Sequence, residues 1–399
     1  MAHSPCLLAS VADPPILLAG AISATRHGGS ANPFGGRIPH SPRRILVIRL
    51  DRLGDVILST PVPQALRRQF PHAFIAMMVR PACREAVEGH PDVNEVIVYE
   101  KEGRHRSILG TIRFARELRR SEFDTALVLH PSNRSHWIPW LAGIPTRIGY
   151  DRKSAWLLTH RVPHQKQEGK KHEALYTLEL LQVFGMTPEL SRPRLSIPPA
   201  ALHRVEALLA EASVAPTDSL VAIHPSASCV SKRWMPERFA QVADRLIAER
   251  NVRVCLVAGE ADALPARQVA QAMRHPALNL AGRLSVGELA ALLRRCACLV
   301  SNDSGPVHVA AAVGTPVVDI FGRNQRGLSP LRWGPLGDGH VVLHKEVGCV
   351  TCLAHNCDIG FLCLTSLSVE EVYQAAVSVL DRGTVADRGP CVRNLKPLS

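Results

Sequence analysis

The segment Asp303-Ser-Gly-Pro-Val-His308 combines turn-forming residues with a proline that suits the first turn of a helix. A short apolar run precedes it, which predicts a buried strand that ends where the turn begins. A helix that starts after such a loop presents free N–H groups and a positive dipole end to an anion. We therefore interpret this segment as a phosphate or diphosphate site, although an ordinary strand–turn–helix unit of a parallel sheet has the same pattern.

A carboxylate directly follows a glycine in a second segment of this kind, Ile48-Arg-Leu-Asp-Arg-Leu-Gly-Asp55. We expect Gly54 to allow a tight backbone turn at the end of the strand. Asp55 then has two alternative roles, the N-cap of the next helix or a general base that accepts a proton from an acceptor hydroxyl. Asp51 is a second candidate for the same base.

A third segment, residues 223–239, also lies between a predicted strand and a predicted helix, and it contains Lys232. A lysine beside a helix N-terminus can bind an anionic group. The alternative is that Lys232 and Arg233 form an ordinary solvated pair. Glu260 and Asp262 follow the next predicted strand. They could cap the helix that comes after it, and a second role for them is given below with the family resemblance. The chain has no GxGxxG motif of the dinucleotide type, which argues against a dehydrogenase.

Four cysteines, Cys349, Cys352, Cys357 and Cys363, lie in one short segment. Thiolates suit zinc, but this spacing does not form two Cys-x-x-Cys pairs. We therefore favour a cluster of reduced thiols, with a structural metal as the alternative, and we predict no cofactor. Eleven cysteines scattered over 399 residues indicate a reducing, cytoplasmic compartment rather than a disulfide scaffold.

Apolar runs alternate with amphipathic segments along most of the chain, which is the βαβ rhythm of parallel sheets. Four strands are predicted between residues 44 and 129 and five between residues 220 and 321. One long helix is predicted over Val56–Gln69, and a proline-marked linker over Arg192–Pro199. Two consecutive Rossmann-like halves indicate an α/β fold of the GT-B type, in which the active site lies between the domains at the carboxyl ends of the strands.

The three segments described above resemble motifs of glycosyltransferase family nine, the ADP-heptose:lipopolysaccharide heptosyltransferases. Asp303-Ser-Gly-Pro-Val-His308, with the Ala-Ala-Ala and Gly-Thr-Pro that follow it, is similar to the C-terminal signature of the family. The resemblance covers about residues 44–380, and it departs from the family pattern at Ser304, where threonine is common. It implies an inverting, metal-independent transfer of heptose from ADP-heptose to the lipopolysaccharide inner core.

The resemblance also implies roles for individual residues. Asp55 would be the general base, and Lys232 would act in catalysis as the cation on the diphosphate. The implied donor-binding residues are Ser226, Ser228, Lys232, Glu260 with Asp262 as its alternative, Asp303, Ser304, Gly305 and His308. Arg147 and His172 are expected to face an anionic acceptor. Two alternatives remain: another GT-B nucleotide-sugar enzyme, such as an epimerase, and a non-catalytic protein that binds a sugar nucleotide.

The resemblance and the composition together predict five regions. They are a disordered extension over 1–42, an acceptor domain over 43–195, a nucleotide-sugar domain over 196–366, a C-terminal helix over 367–382 and a tail over 383–399.

The formal net charge of +12 indicates an anionic partner. Aromatic residues make up only 5% of the chain and no basic stretch is interleaved with them, which argues against nucleic acid. No apolar run reaches membrane-spanning length, and we predict no signal peptide. A basic protein with a lipopolysaccharide acceptor is expected to make a peripheral contact with the inner face of the inner membrane.

Overall fold

The computed structural model describes residues 41–349 and 352–382. The predicted extension over 1–42 therefore lies almost wholly outside the described residues, and the predicted tail over 383–399 lies outside them entirely.

The N-terminal half is built on a six-stranded parallel sheet with the order β3-β2-β1-β4-β5-β6. Its strands are β1 Arg44–Ile48, β2 Phe74–Val79, β3 Glu95–Val98, β4 Thr125–Val128, β5 Thr146–Tyr150 and β6 His160–Val162. The central strands are apolar and buried because helices cover both faces of the sheet. Register pairs such as Ile48 with Met78 and with Val128 align the carboxyl ends of the central strands at one edge.

The C-terminal half repeats this architecture with the order β12-β11-β10-β7-β8-β9. Its strands are β7 Leu220–His224, β8 Arg253–Leu256, β9 Leu278–Asn279, β10 Cys298–Asn302, β11 Val317–Phe321 and β12 Val341–His344. In both halves the strand order reverses beside the first strand, which creates a crevice at the carboxyl ends of the strands. The prediction of two consecutive Rossmann-like halves is confirmed.

Helices connect the strands of both sheets. They are α1 Leu53–Ile57, α2 Pro61–Gln69, α3 Ile108–Arg119, α4 Asn133–Leu141, α5 Glu173–Glu179, α6 Pro199–Glu211, α7 Pro236–Arg250, α8 Ala263–Ala272, α9 Val286–Arg295, α10 Gly305–Val313, α11 Pro330–Trp333, α12 Leu362–Thr365 and α13 Val369–Arg382. The helix α9 begins with a capping box in which Ser285 and Glu288 satisfy each other's backbone N–H groups. No helix of the described residues combines the length and apolarity needed to cross a membrane.

The single helix predicted over Val56–Gln69 is wrong, because the structure has two helices there, α1 and α2. Pro61 cannot donate a backbone hydrogen bond, and the hydroxyl groups of Ser59 and Thr60 donate to backbone carbonyls in the preceding turn. The interruption separates a short helix at the end of β1 from the longer helix that covers the sheet.

The two halves share an apolar interface next to the crevice. Helix α1 packs on α10, and the short 3-10 helix Pro81–Ala86 of the N-terminal half packs on α9. The stretch from Met186 to Pro198 has no regular secondary structure and leads directly into α6, where the linker was predicted. The carboxyl ends of both sheets therefore border one space between the domains.

Candidate active site

A cavity of about 1140 Å³ lies between the two domains and is lined by residues from both. The cationic side chains in its wall are Arg49, Arg52, Arg80, Lys101, Arg152, Lys153, Lys166, Lys232, Arg323 and Arg332. The acidic ones are Asp51, Asp55, Glu173, Asp262 and Asp303. Cations outnumber carboxylates two to one, so the cavity suits an anionic ligand.

Asp55 lies within the short helix α1, and its carboxylate is held by Arg49 at the end of β1. Arg49 Nη2 donates to Asp55 Oδ1 at 2.8 Å, and Arg49 Nε lies 2.9 Å from Asp51 Oδ2. The N-cap of α1 is Arg52, so the alternative role of Asp55 as a helix cap is wrong. Arg49 itself is almost fully buried, which fixes the guanidinium between the two aspartates.

Glu173, at the start of α5, connects this cluster to both domains. Its Oε1 accepts hydrogen bonds from Arg49 and, at 2.6 Å, from Lys166 Nζ. Its Oε2 accepts two from Arg332 of α11, at 3.0 Å from Nε and 2.7 Å from Nη2. Because α5 belongs to the N-terminal domain and α11 to the C-terminal domain, Glu173 joins the two by a buried ion pair.

Burial raises the pKa of Asp55 above its ordinary value, and Arg49 opposes the rise while Asp51 and Glu173 add to it. Burial would also raise the pKa of Glu173, but Lys166, Arg49 and Arg332 hold it well below its usual range. Glu173 is therefore the permanent anion of the cluster, and Asp55 is the carboxylate that is more ready to accept a proton.

At Gly54, the segment Ile48–Asp55 packs directly against the segment Asp303–His308 of the other domain. A Cβ atom placed on Gly54 would lie 2.6 Å from His308 Cδ2 and 3.5 Å from the Cα atom of Gly305. Gly54 is helical and its φ is not positive, so the expected reason for this glycine, a tight turn, is wrong. The glycine is required because α10 of the other domain approaches closely.

Lys232 lies across the cavity and pairs with Asp303. The Lys232 Nζ atom is 2.5 Å from Asp303 Oδ2 and donates to the Asp303 backbone oxygen at 3.3 Å. Arg323 Nη2 lies 3.9 Å from the same carboxylate oxygen. Asp303 thus holds two cations beside the N-terminus of α10, and its geometry is that of a positioning residue rather than of a direct contact with an anion.

All three serines of the predicted donor site line the cavity, but two of their hydroxyl groups already bond to other residues of the protein. The Ser304 hydroxyl lies 3.0 Å from His224 Nδ1 and makes no cap bond to α10. The buried Ser226 hydroxyl donates to the Asp262 backbone oxygen at 2.6 Å. Ser228 is exposed on the cavity wall. Hence, among these three, only Ser228 presents its side chain openly to the cavity.

His308 is a neutral imidazole in this arrangement. Burial first, and then the charges of the nearby His172, Lys232 and His340, together lower its pKa to about 3. Its buried Nδ1 atom has no hydrogen-bond partner among the residues that the structure describes. A bound anion would supply the missing partner and would favour the protonated ring.

Three predicted site residues lie away from the cavity wall. The guanidinium group of Arg147 donates to the backbone oxygens of Ile144, Pro145 and Leu157. His172 caps α5 and contacts the Gly334 oxygen of the other domain at 3.0 Å. Glu260 is exposed, whereas Asp262 lines the cavity. The expected ligand contacts of Arg147, His172 and Glu260 therefore have no support in this geometry.

Several cavity residues were not identified from the sequence. Arg49 lies in the segment Ile48–Asp55 and Glu173 directly follows His172, but their pairing spans 124 positions of the chain and no local pattern indicates it. Arg52, Arg152 and Lys153 have no ion pair within 4.0 Å in the described part of the chain, although all three line the cavity. Their position after β1 and β5, at the carboxyl edge of the sheet, was the available signal.

The cysteine segment is described only in part, because residues 350 and 351 lie outside the described ranges. Cys363 donates from its thiol to the Gly322 oxygen, and Cys357 accepts from the Phe361 N–H group. Within residues 41–349 and 352–382, no set of three His, Cys, Asp or Glu side chains is arranged to hold a metal ion. The two interpretations of this segment stay predictions.

Two relatives with similar sequences are named heptosyltransferases. The chain is 28% identical to lipooligosaccharide heptosyltransferase 2 of Haemophilus influenzae over 322 residues, which is 76% of this chain and 89% of the relative. It is 29% identical to lipopolysaccharide heptosyltransferase 3 of Escherichia coli, over 67% of this chain and 80% of the relative.

Solved structures show the same architecture. A glycosyltransferase family 9 protein from Veillonella parvula is 27% identical and superposes with a TM-score of 0.78, covering 88% of this chain and 100% of the neighbour. Heptosyltransferase II of Escherichia coli is 24% identical and superposes with a TM-score of 0.71, covering 85% of this chain and 99% of the neighbour. This likeness supports the GT-B fold. The model of glycosyltransferase family 9 (heptosyltransferase) matches residues 111–362, and the chain belongs to that family of glycosyltransferases.

Proposed function

We propose that this chain transfers heptose from ADP-heptose to an anionic lipopolysaccharide inner core, with inversion at the anomeric carbon and without a metal ion at the diphosphate. One observation supports this most strongly. Helix α1, which carries Asp55, packs on α10, which begins at Gly305, so that Gly54 lies against His308 on the wall of one cavity. The arrangement brings a carboxylate from one domain beside an anion site from the other.

Asp55 is the proposed general base of the reaction. Its carboxylate accepts the proton of an acceptor hydroxyl, whose oxygen attacks the anomeric carbon while the bond from that carbon to the diphosphate oxygen breaks. Burial raises the pKa of Asp55, which strengthens it as a base, and the bond from Arg49 keeps the carboxylate oriented. ADP leaves with both electrons of the broken bond.

The leaving diphosphate is assigned to the C-terminal side of the cavity. Lys232 and the N-terminus of α10 carry positive charge there, and His308 offers an unpartnered buried Nδ1 atom. Asp303 holds the Lys232 ammonium in place, so the cation needs little reorganisation when charge develops on the ligand. Ser228 and Asp262 border the same space and are assigned to the rest of the donor.

The acceptor is assigned to the N-terminal side of the cavity. Arg52, Arg152 and Lys153 provide unpaired positive charge there, which suits a phosphorylated core. A lipopolysaccharide acceptor is anchored in a bilayer, so the proposal includes a peripheral contact with the inner face of the inner membrane.

Transfer is tested with purified protein, ADP-heptose and heptose-deficient lipopolysaccharide, with the products read by mass spectrometry. We expect one heptose to be added, and Asp55→Asn to lose transfer by about 10²- to 10⁴-fold while binding ADP like the wild type. Asp51→Asn is the matched comparison, since both aspartates contact Arg49. Retained transfer in Asp55→Asn with loss in Asp51→Asn would reassign the base.

The same assay distinguishes the two alternative functions. A sugar nucleotide altered without an acceptor would indicate an epimerase, and binding without turnover of any donor would indicate a binding protein.

A further inference from the structure

Three of the five tryptophans of the chain lie exposed on the N-terminal domain. Trp137, Trp140 and Trp156 expose 38%, 47% and 68% of their surface. By contrast, Trp234 is fully buried and donates its indole N–H to the Leu367 oxygen. The three exposed rings therefore do not have the packing role of Trp234 in the core.

The three exposed rings form one surface, which we call the tryptophan surface. Trp137 and Trp140 lie three positions apart on α4 and so share a helix face. The rings of Trp140 and Trp156 meet edge to face, with centroids 6.4 Å apart. Asn133, one turn before Trp137, accepts a hydrogen bond from Ser154, which fixes the loop of Trp156 beside the helix.

Isolated exposed apolar residues are normal on protein surfaces, but three adjacent tryptophans are not. None of these three indole N–H groups donates to an acceptor within residues 41–349 and 352–382. An indole has an apolar ring and a polar N–H group, so it is suited to a boundary that is apolar on one side and wet on the other.

Unpaired cations lie on the segments that adjoin the tryptophan surface. Arg152 and Lys153 precede Trp156 in its loop and line the cavity. Helix α3, which packs on α4, exposes Arg113 and Arg116. None of these four cations lies within 4.0 Å of a carboxylate oxygen in the described part of the chain. This charge complements a surface of phosphate groups.

We propose that the tryptophan surface docks on an anionic phospholipid bilayer, with its indole rings at the level of the headgroups and the exposed Arg113 and Arg116 of α3 against lipid phosphates. The inference rests on the proposed function in one respect: the cavity whose mouth adjoins this surface receives an acceptor that is anchored in a bilayer. Docking there would hold the acceptor side of the cavity toward the membrane.

The test is cosedimentation of the full chain with vesicles of phosphatidylglycerol and phosphatidylcholine. The double variant Trp140→Ser/Trp156→Ser is compared with Leu190→Ser/Leu264→Ser, whose side chains are equally exposed, at 47% and 65%, but lie elsewhere. We expect the tryptophan variant to bind mixed anionic vesicles on the order of tenfold more weakly or worse, because each ring withdraws a large apolar area from water. The leucine variant should bind like the wild type. Thermal melts establish that both variants are folded.

Equal vesicle binding by the two double variants would overturn the inference. So would self-association of the wild type that the tryptophan variant abolishes, since the surface would then join two copies of this chain. Transfer to a water-soluble, delipidated core separates this inference from the proposed function, because the tryptophan variant should transfer to it at the wild-type rate. Tryptophan-dependent vesicle binding in a protein that transfers no heptose would refute the proposed function and leave the docking surface supported.

Discussion

Asp303 and Asp319 are neighbouring aspartates of the C-terminal sheet with opposite surroundings. Asp303 pairs with Lys232 at 2.5 Å. Asp319, on β11, is fully buried, and neither of its carboxylate oxygens has a hydrogen-bond partner in the described residues. Burial, and then the charge of Asp303, raise the pKa of Asp319 well above its ordinary value, so we expect a neutral carboxylic acid. The same residue type thus supplies an ion-paired carboxylate beside α10 and a neutral acid on the neighbouring strand β11.

The first residue-scale prediction concerns Asp319→Asn, which keeps the shape of the neutral acid. The pKa of Asp319 is higher in the folded than in the unfolded chain, so wild-type stability falls as the pH rises above about 4, the unfolded pKa, toward the folded pKa. The asparagine variant lacks this loss of stability. We therefore expect the free energy of unfolding of Asp319→Asn, measured by urea titration, to increase relative to that of the wild type between pH 5 and pH 8. Parallel pH profiles would show that Asp319 is ionised in the folded protein.

The second residue-scale prediction concerns Gly54→Ala. The added Cβ atom would lie 2.6 Å from His308 Cδ2, so the ring or the whole of α10 must move. We expect transfer to fall by about 10²-fold or more, because small displacements of a reacting group are costly. Gly259→Ala is the control, since it adds a methyl group to the same cavity with no atom within 4 Å. Comparable turnover in the two variants would mean that α1 and α10 are farther apart during catalysis.

At the scale of elements, α5 and α11 are joined by the ion pair of Glu173 and Arg332. The pair is 1% and 13% exposed, and it shares Glu173 with Arg49, which in turn holds Asp55. A change in the approach of α11 would therefore reach Asp55, the proposed general base, through two side chains. The domain interface and the orientation of Asp55 form one connected structure.

We predict that Arg332→Gln weakens both stability and transfer. The substitution removes two charge-assisted hydrogen bonds to Glu173 Oε2, while Lys166 and Arg49 still bond to Oε1. The free energy of unfolding should therefore fall by about 1–3 kcal/mol. Arg192→Gln is the control, because its pair with Asp338 is 3.6 Å long and exposed, and such pairs contribute about 0–1 kcal/mol. Equal melting temperatures for the two variants would contradict a stabilising role for the buried pair.

Local sequence patterns predicted the central strands well and several other elements poorly. The apolar runs Ile45–Ile48 of β1 and Cys298–Val300 of β10 stand out against their surroundings. By contrast, β6 has only three residues and contains Arg161. The break between α1 and α2 was missed because the apolar spacing of Val56, Val62 and Leu66 was followed across Pro61. A proline at the sixth position of the predicted helix indicates an interruption, and Pro61 is in fact the first residue of α2. Helix α6 was missed because Pro198 and Pro199 were assigned to the linker, although Pro199 is the first residue of the helix.

At the scale of the whole molecule, the site exists only where the two domains meet. Sequence motifs predicted which segments carry chemistry, because glycine, aspartate and lysine occur there in specific order. They could not predict the contact of Gly54 with His308 or of Glu173 with Arg332, which depends on how two separately folded sheets face each other. The proposed acceptor side is the least predictable part, since its cations lie in loops without a recurring pattern.

The last prediction tests that acceptor side with Arg152→Ser/Lys153→Ser. These two cations line the cavity mouth and have no carboxylate within 4.0 Å among the described residues, so they are available to acceptor phosphates. With a water-soluble phosphorylated core, the KM for the acceptor should rise about tenfold or more, since each charge-assisted bond contributes roughly 1.5–3 kcal/mol. The KM for ADP-heptose should stay unchanged, because Lys232 lies on the other side of the cavity. The acceptor KM of the double variant should also depend less on salt than that of the wild type.

The matched control is Arg204→Ser/Arg267→Ser, which removes the same charge from exposed positions of α6 and α8 outside the cavity wall. It separates a local contact from the general effect of lowering the net charge by two. If both double variants raise the acceptor KM equally, the long-range field of a protein with a formal charge of +12 attracts the acceptor, and Arg152 and Lys153 make no specific contact. If only the cavity variant responds, the unpaired cations after β5 bind the acceptor directly.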